Sequence, residues 1–221
     1  MSVACMILGQ SGTGKTTSLR NLKPDDVLLI QAVKKPLPFR AKNWVPCTKG
    51  NPAGSILVTD NAQTIVGAMQ RTHKPIIVID DFQYILANEF MRRVLDNETG
   101  NAAFAKYNEI ARNAWDILMT AGRLADETRV YILAHTQEDD NGRIKAKTIG
   151  KLLDEKITLE GLLTIVMRTA VINGQYLFST QNSGSDTVKT PLDMFTDEHI
   201  PNDLAVIDNT ITDYYAISQP A

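Results

Sequence analysis

The segment GQSGTGKTT, residues 9 to 17, spaces its glycines, lysine and threonine as G-x-x-x-x-G-K-[ST]. An apolar run, VACMIL at 3–8, precedes it and reads as a buried strand. A run from about Lys15 to Leu22 follows it and reads as a helix that stops before Pro24. Strand, glycine loop and helix together are the context in which backbone N–H groups curl around phosphate oxygens, with the positive end of the helix adding to their field. Gly9, Gln10, Ser11, Gly12, Thr13, Gly14, Lys15, Thr16 and Thr17 are therefore the candidate nucleotide-binding residues. Lys15 would reach the β- and γ-phosphates and the Thr16 hydroxyl would ligate Mg²⁺, so ATP and Mg²⁺ are the expected ligands.

A second stretch, KPIIVIDDFQYIL at 74–86, ends an apolar strand with two adjacent acids, Asp80 and Asp81. Strand alternation points neighbouring side chains to opposite faces, so the two carboxylates cannot share one role by position alone. Asp80 suits the cation side of a phosphate site, holding the water shell of Mg²⁺, against the plainer reading of a cap or turn residue. Asp81 is a candidate for the group that orients and deprotonates an attacking water, against that of an N-cap before FQYIL. His135 closes a third buried run, RVYILAH at 129–135, and is either a phosphate-facing donor or a packed strand-end histidine.

Other elements must position these residues. DVLLIQA at 26–32 reads as a second buried strand, and ILV at 56–58 as a short one leading to an N-cap at Asp60 or Asn61 and a helix over 61–72. Helices are expected over 84–99 and 101–124, the latter with a stripe of Phe104, Ala111, Trp115, Leu118 and Ala121 or Gly122. The proline-rich segment 33–54 reads as a surface excursion, in which Lys34, Lys35 and Arg40 could touch DNA or a neighbouring subunit. Residues 137–149 read as a polar loop, KLLDEKI as a short helix, and residues 162–181 as a hairpin turning at Asn173-Gly174. Leu204, Ile207, Ile211 and Tyr214 are spaced as one face of a final helix. Alternating helices and near-continuous apolar strands predict an α/β fold: a mainly parallel sheet flanked by helices, with a C-terminal antiparallel hairpin extension. One domain, 1–221, is expected, with a core over 1–136 and an extension over 137–221.

The chain has 221 residues, a formal net charge of −2 and a pI near 5.9, without the basic excess typical of proteins that bind nucleic acid nonspecifically. Two cysteines and three scattered histidines argue against a disulfide framework and a zinc site. No run of eighteen apolar residues and no basic leader is present, so a cytoplasmic location with no membrane partner is expected.

GQSGTGKTT, KKPLPF, IIVIDDFQ, FAKYNEIA, ILAHTQ, TIGKLLDEK and IPNDL together resemble the RecA-core P-loop ATPases that bacteriophages encode near single-strand annealing and recombination genes. AHTQEDDNG followed by VKTP is similar in order to signatures of the RadA branch, with Thr190 and Pro191 standing where an Asn-Arg pair would be. The resemblance implies a RecA-like P-loop NTPase core and an oligomer, ring or filament. It also implies a DNA-dependent ATPase in the bacterial host cell that assists recombination, annealing or replication alongside a phage annealing or single-strand-binding protein. RecA-like enzymes often place a glutamate after the strand that here reads LLIQAVKK, which has no acid. Asp81 instead occupies the position of the second acid in the AAA+ acid pair. By the same resemblance His135 stands where a γ-phosphate sensor would, and Lys189 where a cation reaching the neighbour's γ-phosphate would. Arg143, Lys145 and Lys147 fall where a DNA-contacting loop would, and would bind single-stranded DNA through its backbone. A solvated loop and an ordinary exposed lysine are the plainer alternatives. Two other functions compete: a nucleotide-gated oligomeric scaffold that hydrolyses little, and a small-molecule P-loop kinase.

Overall fold

The computed structural model describes residues 1–94, 101–150 and 152–218. Its centre is a sheet of eight strands. Five are the apolar runs that the sequence marks: β1 (Val3–Leu8), β2 (Val27–Gln31), β3 (Ile56–Val58), β4 (Ile76–Asp80) and β5 (Arg129–Ala134). Three more come late in the chain: β8 (Ile165–Ile172), β9 (Gln175–Ser179) and β10 (His199–Pro201). Between them β6 (Thr136–Glu138) and β7 (Ile144–Ala146) form a separate antiparallel ribbon. The order across the large sheet is β10-β9-β8-β1-β5-β4-β2-β3, parallel from β8 to β3 and antiparallel at β9 and β10. This is the expected α/β architecture. One detail differs: β8, the first strand of the late hairpin, runs parallel to β1, and the antiparallel pairings are β8–β9 and β9–β10, so that β9 runs against the other strands of the large sheet. The hairpin turns at Asn173 (φ 52°) and Gly174 (φ 77°), the paired positive φ of a type I′ turn.

Alternation within the buried strands divides two apolar layers. Met6, Leu8, Ile77, Ile79, Val130 and Ile132 face helices α1 (Ala62–Arg71), α2 (Phe82–Arg92) and α3 (Asn101–Ala121). Cys5, Ile7, Val78, Tyr131 and Leu133 face the other side, covered by Leu19, Trp44 and α4 (Leu204–Tyr214). Asn61 caps α1, its Oδ1 accepting from the Thr64 N–H at 2.9 Å. The buried stripe of α3 runs through Ile110, Ala111, Ala114, Ile117 and Leu118, leaving Trp115 half-buried, while the Phe104 side chain lies outside the described residues. Part of the helix expected over 84–99 also lies outside them; its described part is α2.

Several local expectations are corrected. The polar loop 137–149 is the β6–β7 ribbon, because Ile144 and Ala146 alternate with Arg143, Lys145 and Lys147 and give it an inner face on which Ala146 is buried. The short helix expected in KLLDEKI is present as a π-helical turn at Leu152–Lys156. The segment after the glycine loop is a 3₁₀ helix, Thr16–Asn21, with the Ser18 N–H shared between the carbonyls of Gly14 (3.0 Å) and Lys15 (3.3 Å). Leu22 is already extended there, two residues before Pro24, so the short run closes with the tighter geometry. Among the described residues no helix is long and apolar enough to cross a membrane.

A polar cluster in the second layer fastens α4 to the sheet. Asp208 accepts from Arg129 Nε (3.0 Å) and Nη2 (2.9 Å) and from the Tyr131 hydroxyl (2.6 Å), all buried. Burial, and then the nearby Asp208 charge, push the Tyr131 hydroxyl well above its usual pKa, so it stays a donor. Asp208→Ala strands a buried guanidinium and is expected to destabilise the fold by about 3–5 kcal/mol. Denaturant unfolding measures this; a loss below about 1 kcal/mol, the scale of an exposed pair, would contradict it.

Candidate phosphate-binding site

The glycine loop leaves the carboxyl end of β1, in the middle of the sheet, where open α/β sheets form their ligand crevice. Gly12 (φ +79°) and Gly14 (φ +97°) take backbone conformations that side chains disfavour. The loop is wedged from both sides. The Gly9 N–H bonds the Ala134 carbonyl of β5 at 3.1 Å. On the β8 side, Thr169 Oγ1 donates to the Leu8 carbonyl at 3.2 Å and lies 2.6 Å from Thr13 Oγ1. A Cβ on Gly9 would fall 1.9 Å from Thr169 Oγ1, and one on Gly14 would fall 3.0 Å from Asn202 Oδ1 and 3.1 Å from the Tyr176 ring.

Two side chains of the motif already take up site-like positions. Lys15 Nζ donates to the carbonyls of Gly9 (2.8 Å) and Gln10 (3.0 Å), and burial lowers its pKa. Thr16 Oγ1 donates to both oxygens of Asp80, at 3.0 and 3.2 Å. Asp80 reaches Thr16 because alternation puts it with Ile76 and Val78, on the face that Leu19 covers. Burial, and next the adjacent Asp81, raise the Asp80 pKa. A hydroxyl and a carboxylate converge there as the hard oxygen ligands that Mg²⁺ requires, and the lysine and the N–H groups of the glycine loop are the donors that a polyphosphate requires. The residues present therefore fit both.

Asp81 is held differently. Its backbone is left-handed (φ 40°, ψ 77°), and although it stands at the N-cap position of α2 its side chain caps nothing. One carboxylate oxygen forms an ion pair with Lys35 Nζ, and the other lies 3.3 Å from His135 Nε2. Burial alone would raise its pKa, but the hydrogen bonds from His135 and Lys35 outweigh it and hold the carboxyl at about 2. The His135 ring also meets Tyr84 edge-on, centroids 6.1 Å apart.

Asp81, His135, Lys35, Pro38 and Tyr176 share a cleft of about 410 Å³ with Ser11, Gly12, Gly14, Lys15, Thr16 and Thr17. The structure thus brings the glycine loop, both acids and His135 together at one sheet end. It does not bring Lys189, Arg143, Lys145 or Lys147 into that cleft. Lys189 is exposed and joined through its backbone to Val166 of β8. Arg143, Lys145 and Lys147 alternate along the β6–β7 ribbon, and Lys145 is paired with Asp154 at 2.9 Å.

No protein-family profile matches the chain, and no curated protein matches it in sequence. Among solved structures, a KaiC-like protein from the hyperthermophilic archaeon Pyrococcus horikoshii OT3 is similar at 10% identity and a TM-score of 0.45. The likeness covers 80% of this chain and 78% of that one, and at this level it carries nothing about activity.

The sequence puts Lys35 in a pinned surface loop that could touch DNA or a neighbouring subunit; the structure turns its ammonium onto Asp81. Sequence reasoning also passed over Thr169, Tyr176 and Asn202. Thr169 left one trace, a polar residue beside Arg168 in the middle of the strand run IVMRTAVI.

Two outcomes follow from this geometry. Gly9→Ala drives a methyl into Thr169 and is expected to weaken ATP binding by about tenfold or more, with Thr169→Ala in the same chain restoring part of the loss. Wild-type affinity in the single variant would contradict the packing. The depressed Asp81 pKa also links to stability: it contributes above the ordinary carboxylate range and is lost as pH falls from about 4 towards about 2. Unfolding free energy measured across that window should fall less steeply in Asp81→Asn than in the wild type.

Proposed function

We propose that the chain is an Mg²⁺-dependent ATP hydrolase that acts with single-stranded DNA in phage recombination, annealing or replication. The observation that carries the hydrolase reading is the double hydrogen bond from Thr16 to Asp80, made beside Lys15 in the cleft that also holds Asp81 and His135. Mg²⁺, when bound, supplies a positive centre that offsets charge on the phosphate oxygens. Lys15 exchanges the Gly9 and Gln10 carbonyls for phosphate oxygens, and the glycine loop presents its N–H groups to them. Asp81, oriented by His135, positions the attacking water and takes its proton. The water oxygen bonds to the γ-phosphorus as the bond to the bridging oxygen breaks, giving ADP and phosphate.

The DNA role and the homo-oligomer rest on the family resemblance. The alternating Arg143, Lys145 and Lys147 support a backbone contact with DNA, and exposed Lys189 supports a contact across subunits. One observation favours a second reading: Lys35 occupies the proposed base, as a nucleotide-gated scaffold with little hydrolysis would have it.

Steady-state ATP hydrolysis, with and without single-stranded DNA at two salt concentrations, decides between them. Turnover is expected, stimulated by DNA in a manner that fades with salt. Lys15→Ala should abolish it, and Asp81→Asn should lower it by about 10²–10⁴-fold. Full turnover in Asp81→Asn would remove Asp81 as the base. ATP binding without turnover in the wild type would favour the scaffold.

A further inference from the structure

Lys35 is the residue in the cleft that the glycine-loop chemistry does not account for. Its main chain is fixed: the Lys35 carbonyl accepts from Gln31 Nε2 at 3.3 Å, and Gln31 is the β2 partner of Asp80. Beyond it Leu37 and Phe39 pack on the α4 side of the sheet, with Phe39 edge-on to Trp44 at 5.9 Å. The strap is therefore anchored on both sides of Lys35. Its side chain is not anchored in the same way. It is 41% exposed and ends on the Asp81 carboxylate, itself only 4% exposed. A long, flexible cation rooted at this cleft can exchange one anionic partner there for another.

Resting on the nucleotide-binding reading above, we propose that Lys35 reads the terminal phosphate. It holds Asp81 when no γ-phosphate is present, and transfers to the γ-phosphate of a bound nucleoside triphosphate, which frees Asp81 for His135 and water. The exchange is favoured by charge: a terminal phosphate carries nearly two negative charges and three acceptor oxygens, and a carboxylate one charge and two. A diphosphate, whose terminal phosphate would sit at the Lys15 and Thr16 end of the loop, places no oxygens at the γ position and leaves the Lys35–Asp81 pair closed. Lys35 would thus make hydrolytic competence conditional on the triphosphate. Release of phosphate would restore the pair. The Asp81 side chain makes no helix-cap bond, and Lys35 and His135 are the groups that meet its carboxylate, so departure of the lysine leaves it to His135 and water.

The test is equilibrium binding of ATPγS and of ADP, each with Mg²⁺, to the full chain and three variants. Lys35→Met should weaken ATPγS by about tenfold or more, the scale of one charged hydrogen bond, and leave ADP within about twofold. Lys35→Arg should restore most of the preference. Asp81→Asn removes the competitor for Lys35 and should shift the ratio the other way, strengthening ATPγS relative to ADP. A lysine that merely braced the fold would move both nucleotides together. Equal weakening or no change in Lys35→Met overturns the proposal, and so does an unchanged or lowered ratio in Asp81→Asn. Wild-type protein that bound neither nucleotide would instead overturn the nucleotide-binding reading on which the proposal stands.

Discussion

Two adjacent carboxylates lie almost wholly buried at the carboxyl end of β4, and neither can stay ionised there alone. Asp80 is 1% exposed and Asp81 3%. Like charges a few ångströms apart at an effective dielectric near 20 repel by a few kcal/mol, and removal from water adds to that cost. Each acid is therefore met from a different direction. Asp80 receives a neutral hydroxyl, Thr16, while burial and then the neighbouring Asp81 raise its pKa, which leaves it in want of a cation. Asp81 receives Lys35 and His135, and its pKa falls. The pair is thus divided into one acid that awaits positive charge and one that already has it.

The sheet makes this division possible. With β5 between β1 and β4, the glycine loop and the two acids lie at the same carboxyl end of the sheet, separated by the strand that leads into His135. Alternation along β4 sends Asp80 to the face where Leu19 and the glycine loop lie. The left-handed backbone at Asp81 then turns the chain into α2. The second apolar layer carries the strap that delivers Lys35, and the β8–β9 hairpin delivers Thr169 and Tyr176 against the loop. Packing and chemistry therefore meet in the same few residues, and a change as small as one methyl at Gly9 reaches both.

What was legible in the sequence was local. The glycine loop, the acid-tipped strand, the Asn61 cap and the Asn173-Gly174 turn each declare themselves within a few residues, because backbone geometry there demands particular residue types. The ribbon at 136–146 was also written locally, in the alternation of Arg143, Ile144, Lys145, Ala146 and Lys147, but its charge made it look like a loop. What was not legible was the pairing of distant segments. Lys35 lies 46 positions from Asp81, and Thr169 lies 156 from Thr13. No periodicity links such residues; only the strand order does. The 3₁₀ form of residues 16–21 escaped for a related reason, since composition at that length does not distinguish it from an α-helical turn.

The central claim is that Thr16 and Asp80 form one cation site that works with the glycine loop. Calorimetric titration of ATP into the wild-type chain, with Mg²⁺ and then with the metal chelated, tests it most directly. The account predicts a single site whose affinity rises by about tenfold or more with Mg²⁺, and a gain that disappears in Asp80→Asn. Binding indifferent to Mg²⁺, or a gain that persists in that variant, would contradict it.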